Sequence, residues 1–244
     1  MTEAEWLACN TPQPMLRQVW NSLNQLQRLR FAILACRRVR HVKIPLVIKR
    51  LVNIAEKIIE RPRFQVGLNL QQDLEFALEA AQNELRQLFA LDIPTYQHFV
   101  GVVSTFSPHS TVDDFILGLT NLGAAVAHVA EPYIVFKAND RGVPSDPAWQ
   151  KVWQNELYTQ SQLLRCIFGN PFQPVTLDPN WLTSDVVAMA RGMYETRDFS
   201  AMPILADALQ DAGCEQAGIL DHCRDPHAMH VRGCWVADLL LGKR

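Results

Sequence analysis

No run of the chain approaches the ~18 apolar residues that a membrane-spanning helix needs, so no membrane partner is expected. The opening MTEAEWLACN has no basic stretch ahead of an apolar core, and a secretory leader is not expected either. Familiar catalytic signatures are missing: there is no G-x-S-x-G, no G-x-x-x-x-G-K-[ST], no G-x-G-x-x-G and no H-E-x-x-H. Those absences remove a nucleophile elbow, two nucleotide cradles and a zinc-protease helix, and they favour a non-enzyme. No fixed-period repeat or low-complexity tract is present, which argues against a solenoid. Cysteines number only six in 244 residues, irregularly spaced and without one C-x-x-C pair. That usage fits reduced thiols in the cytoplasm better than a disulfide framework.

What is present is ordinary for a globular protein. Hydrophobic residues make up 48% and charged residues 20%, with a net charge of −2. A chain of this length buries most of its apolar surface without covalent staples. The balance of charge points to neither nucleic acid nor membrane; only a local patch could.

The patterning is helical. Residues 1–24 read as two short helices, the first capped by Thr2 with Glu3 and Glu5 in its opening turn. A helix over 25–42 has an apolar centre. After Pro45, Val47, Ile48, Leu51 and Ala55 share one face of an amphipathic helix, with Lys49, Arg50 and Asn53 opposite. Residues 69–90 repeat that logic. Thr111 with Asp114 is a capping-box-like start, and the Gly- and Ala-rich helix that follows to about Ala130 is expected to be central. Asp146-Pro147 reads as cap and first residue of a helix that ends at Gly169-Asn170-Pro171. Further helices are expected at about 183–196, 200–212, 215–224 and 230–241, with Gly213 and Gly242 at C′ positions. The fold class is therefore all-α or nearly so: an irregular orthogonal helix bundle, with room for one small β-hairpin near 96–137. The proline-rich connector over 168–179 divides a helical domain at 1–170 from a C-terminal helical subdomain at 171–244 packed on it.

Chemistry concentrates in the tail. Three of the six cysteines and three of the seven histidines fall between Cys214 and Cys234. Zinc takes four thiolate or imidazole ligands in a tetrahedron, and Cys214, Cys223, His230 and Cys234 could supply them, with His222 and His227 as substitutes. His230 and Cys234 stand i, i+4, which puts both on one face if that stretch is helical. Four ligands close the sphere, so such a zinc would be structural. The plainer reading is that Cys214, Cys223 and Cys234 are small buried hydrophobes.

A second feature is the stretch from Trp6 to Ala55, which has no acidic residue. Arg28, Arg30, Arg37, Arg38, Arg40, Lys43, Lys49 and Arg50 make it locally basic, and binding of nucleic-acid phosphate is one use. The competing reading is that the acids over 73–84 neutralise it within the fold, since no aromatic ladder for stacking bases accompanies it. The aromatics Trp149, Trp153, Phe168, Phe172 and Trp181 read as core around the connector rather than a groove.

The start MTEAEWLAC with Pro14-Met15-Leu16, the Cys–Arg helix over 29–38, the connector LLR-x-IFGNPF-x-PV over 163–175, LADAL-x-x-AGC over 205–214, and the ending HCR, HVRGCW and LLLGK carry a resemblance. They resemble a much-duplicated family of planctomycete proteins. About 92–144 departs from that pattern. The resemblance implies no reaction; it implies that the two ends form one structural unit around a variable insert at about 92–144. Heavily duplicated families often serve recognition. The leading expectation is thus a non-enzymatic protein-interaction or regulatory module with a protein partner and a structural zinc as its candidate cofactor. An accessory nucleic-acid-binding protein using Arg28–Arg50 is the alternative, and a metal-dependent enzyme the third.

Overall fold

The computed structural model describes residues 1–38, 46–59, 70–88, 102–103, 105–107, 111–130 and 146–243. Among the described residues there are eleven α-helices and no strand, so the described part of the chain is all-α. The helices are α1 (Glu3–Ala8), α2 (Pro12–Val19), α3 (Gln25–Arg38), α4 (Leu46–Ile59), α5 (Leu70–Leu88) and α6 (Val112–Ala130). They continue with α7 (Pro147–Phe168), α8 (Ser184–Thr196), α9 (Met202–Asp211), α10 (Ala217–Arg224) and α11 (Trp235–Leu240). Of the expected hairpin near 96–137, Val102 and Val103 are helical and 112–130 is helix, while the second arm, together with about half of the expected insert at 92–144, lies outside the described residues.

The chain divides into two compact units, Met1–Asn10 with Ser161–Arg244, and Thr11–Gln160. The division falls within α7 rather than at the connector, which lies wholly inside the first unit. The first ten residues share a unit with the C-terminal part, and the rest of the N-terminal third, Pro14-Met15-Leu16 and the helix over 29–38 included, lies in the other unit.

In the unit Thr11–Gln160 the amphipathic stripes fold as the pattern dictates. Val47, Ile48, Leu51 and Ala55 of α4 and Leu74, Ala77, Leu78, Ala81 and Leu85 of α5 are buried where the two helices pack. The Thr111 box forms: Thr111 N–H donates to Asp114 and Asp114 N–H to Thr111 Oγ1 at 3.0 and 3.2 Å. It starts α6, against which α2 and α3 pack, with Phe115 meeting the rings of Trp20 and Phe31. Asp146 caps α7 by accepting from the N–H groups of Ala148 and Trp149. Gln160, wholly buried, donates to the Leu119 carbonyl and to Glu156.

The other unit holds the site. Thr2 and Glu5 form a reciprocal capping box at the start of α1. At the other end, the Arg165 guanidinium donates to the carbonyls of Trp6, Leu7 and Cys9, and the Trp6 carbonyl also accepts from the Cys9 N–H that caps the helix. Asn170 Nδ2 donates to Glu3 at 2.6 Å, and Trp6 is sealed from solvent. α1 is thereby fastened to the end of α7. The core continues through Val186, Met202, Leu205, Leu209, Ile219 and Val236, with α9 packing on α10 and α11 on α8. Gly169 ends α7 at φ +70°, directly against the Trp235 indole.

Candidate metal centre

The tail is built from tight helix ends. α9 closes in a Schellman arrangement: Cys214 N–H donates to the Leu209 carbonyl and Gly213 N–H to that of Gln210, both at 2.9 Å, with Gly213 at φ +85°. α10 follows, and Asp225 Oδ1 accepts the His227 N–H in the loop beyond it. The chain then turns at Val231–Cys234, where Cys234 N–H meets the Val231 carbonyl at 2.8 Å, and α11 starts at Trp235.

Four side chains converge there. One ligand atom each from Cys166, His222, His230 and Cys234 lies within 4.8 Å of all the others. Cys166 comes from the last turn of α7, His222 from α10, His230 from the loop, and Cys234 from the residue preceding α11. His222 Nε2 is 3.3 Å from Cys234 Sγ, and His230 Nδ1 is 3.9 Å from it. The two imidazoles meet edge to face, 4.8 Å between centroids. Both sulfurs are sealed, at 1% and 0% exposure, while both histidines are half-buried. Gly169, one turn on from Cys166, lets the end of α7 lie against Trp235, whose ring is 5.5 Å from that of His222.

The electrostatics sort the cysteines. Burial would raise the Cys234 thiol, but hydrogen bonds from Cys166, His222 and His230 outweigh it and hold Cys234 well below its ordinary value. Cys166 moves the other way: burial pushes it up, and its hydrogen bond and charge interaction with Cys234 add to the push. Cys223 is pushed up by burial and by the charges of Cys234 and Cys214, and Cys214 by burial.

These four residues fit a metal ion. Two thiolates and two imidazoles are a zinc donor set, and Zn–S of ~2.3 Å with Zn–N of ~2.05 Å requires N···S edges of ~3.5 Å in a tetrahedron. The observed 3.3 and 3.9 Å bracket that length. His230 Nε2 is buried with no hydrogen-bond partner, while its Nδ1 faces Cys234 Sγ. A metal here would join the end of α7 to α10 and to the tail.

No family model, curated protein or solved structure matches the chain.

Of the residues expected to bind metal, the structure brings together His230, Cys234 and the substitute His222. Cys214, Cys223 and His227 are not in the group of four. His222 and Cys223 are neighbours on α10, about 100° apart around its axis, so one faces the site and the other the core. Cys214 is the buried residue closing α9, and His227 is exposed. The geometry expected for His230 and Cys234 also differs: they meet across a turn, since α11 begins only at Trp235. Cys166 was missed because it stands 48 residues before the tail cluster begins. Its signal was a lone cysteine in the last turn of a helix whose Gly-Asn-Pro stop returns the chain toward that tail.

The basic residues are scattered among partners. Arg28 stacks 3.9 Å over the Trp20 ring and donates to its carbonyl. Arg37 pairs with Glu56, and Arg50 with Glu84 at 3.2 Å. Arg30 is half-buried and Lys49 exposed. Arg40, Lys43 and the side chain of Arg38 lie outside the described residues.

Proposed function

We propose that this chain is a non-enzymatic protein-interaction or regulatory module whose terminal unit is closed by one structural zinc on Cys166, His222, His230 and Cys234. The convergence of these four donors carries the reading. Four protein ligands fill a tetrahedral sphere and leave no position for water or substrate, which separates structural from catalytic zinc. An irregular, orthogonal packing of short helices is the scaffold we assign to it. With no disulfide joining any of the six cysteines, a reducing cytoplasm is the compartment that suits it. Its ends resemble those of the duplicated planctomycete proteins, and recognition of a partner protein is the role in keeping with such duplication.

Elemental analysis of purified protein should find about one zinc per chain, and X-ray absorption should show two sulfur and two nitrogen neighbours at ~2.3 and ~2.0–2.1 Å. Removal by a chelator should lower thermal stability sharply, because binding energy at such a site feeds into folding. Metal-free protein with full stability refutes the zinc. A shell containing water would favour the metal-dependent enzyme instead. Nucleic-acid binding through Arg28–Arg50 is the weaker reading, given the pairing of Arg37 and Arg50 with carboxylates. Retention of RNA or DNA on a filter, falling steeply with salt, would revive it.

A further inference from the structure

Oxidation chemistry is also set up at this centre. Cys166 Sγ and Cys234 Sγ lie within 4.8 Å of each other and no disulfide joins them. Reaching the ~2.05 Å of a disulfide bond requires less than ~3 Å of approach. The centre has only these two cysteines, so one disulfide removes both of its thiolates at once. Two imidazoles remain, too few to hold zinc. The two histidines of the group are only half-buried, whereas both cysteines are sealed. Cys36, Cys214 and Cys223 are buried and outside the group.

Building on the zinc reading above, we propose that Cys166 and Cys234 are a peroxide-sensitive pair whose oxidation to a disulfide discharges the metal. The balance is simple. One zinc-bound sulfur attacks a peroxide oxygen; the O–O bond breaks, and hydroxide leaves to take a proton as water. The resulting sulfenic acid is attacked by the second sulfur, which forms the S–S bond and expels the second oxygen as water. Two thiolates lose two electrons, hydrogen peroxide gains them, and two protons are consumed. A dithiol reductant with added zinc reverses the change.

The test uses the full chain loaded with zinc and treated with hydrogen peroxide. Released metal is read with a chromogenic chelator and cross-linked peptides by non-reducing mass spectrometry. The expected result is one zinc released per Cys166–Cys234 linkage, with both restored by dithiothreitol and zinc, and the same outcome in the Cys9→Ser and Cys223→Ser proteins. Zinc that stays bound after peroxide, or leaves without that linkage, overturns the inference while the metal reading stands. A chain that takes up no zinc at all overturns the metal reading, and the release step with it.

Discussion

Gly169→Ala and Gly213→Ala form a matched pair whose difference reports how tightly α7 is pressed onto the residue beside Cys234. Both glycines sit at left-handed φ, +70° and +85°, so an alanine at either costs ~1–2 kcal/mol for the backbone alone. The surroundings differ. A Cβ on Gly169 would stand 3.1–3.2 Å from three atoms of the Trp235 indole, whereas one on Gly213 meets nothing within 4 Å. Trp235 is only 5% exposed and lies in the core, so the ring cannot swing away as a flexible chain end would. Overpacking of this kind adds ~1–3 kcal/mol. Gly213→Ala should therefore lose ~1–2 kcal/mol and Gly169→Ala ~2–5 kcal/mol, measured by urea denaturation followed through tryptophan fluorescence. The indole also lies against the His222 ring, so zinc affinity should weaken in Gly169→Ala and not in Gly213→Ala. Equal losses in the two variants would refute the close packing of α7 on Trp235.

Two further perturbations test other links. Arg165→Met removes a guanidinium that serves three carbonyls at the end of α1, those of Trp6, Leu7 and the following Cys9, and a loss of ~2–3 kcal/mol with faster proteolysis in the first ten residues is expected; unchanged protection there would show that burial of Trp6 alone holds the segment. Burial pushes the Cys36 thiol up to about 12 from an ordinary 9.0. Because the folded value is the higher one, its contribution to stability is complete below about pH 9 and fades as pH rises toward 12. Native Cys36 should accordingly resist iodoacetamide at pH 9 and react only on unfolding, as peptide mapping would reveal.

Much of the helical plan was readable because local chemistry decides it. Thr2, Thr111 and Asp146 cap the helices they were expected to cap, since a side-chain oxygen placed before a helical run has few better partners. Gly213 and Gly242 take the left-handed positions that end α9 and α11. The site was only half readable. Density of cysteine and histidine pointed to the stretch that supplies three of the four converging side chains, yet spacing could not say that Cys223 turns into the core beside His222, or that Cys214 is consumed in closing α9. Cys166 is supplied by tertiary packing: α7 returns to the tail because Gly169 admits Trp235, and no local pattern encodes that meeting.

The most direct test compares zinc content in the Cys166→Ser and Cys223→Ser proteins by elemental analysis. With the centre built as described, Cys223→Ser keeps about one zinc per chain and Cys166→Ser loses it. Zinc retained by Cys166→Ser and lost from Cys223→Ser would contradict the assignment of Cys166, and with it the link between the end of α7 and the tail.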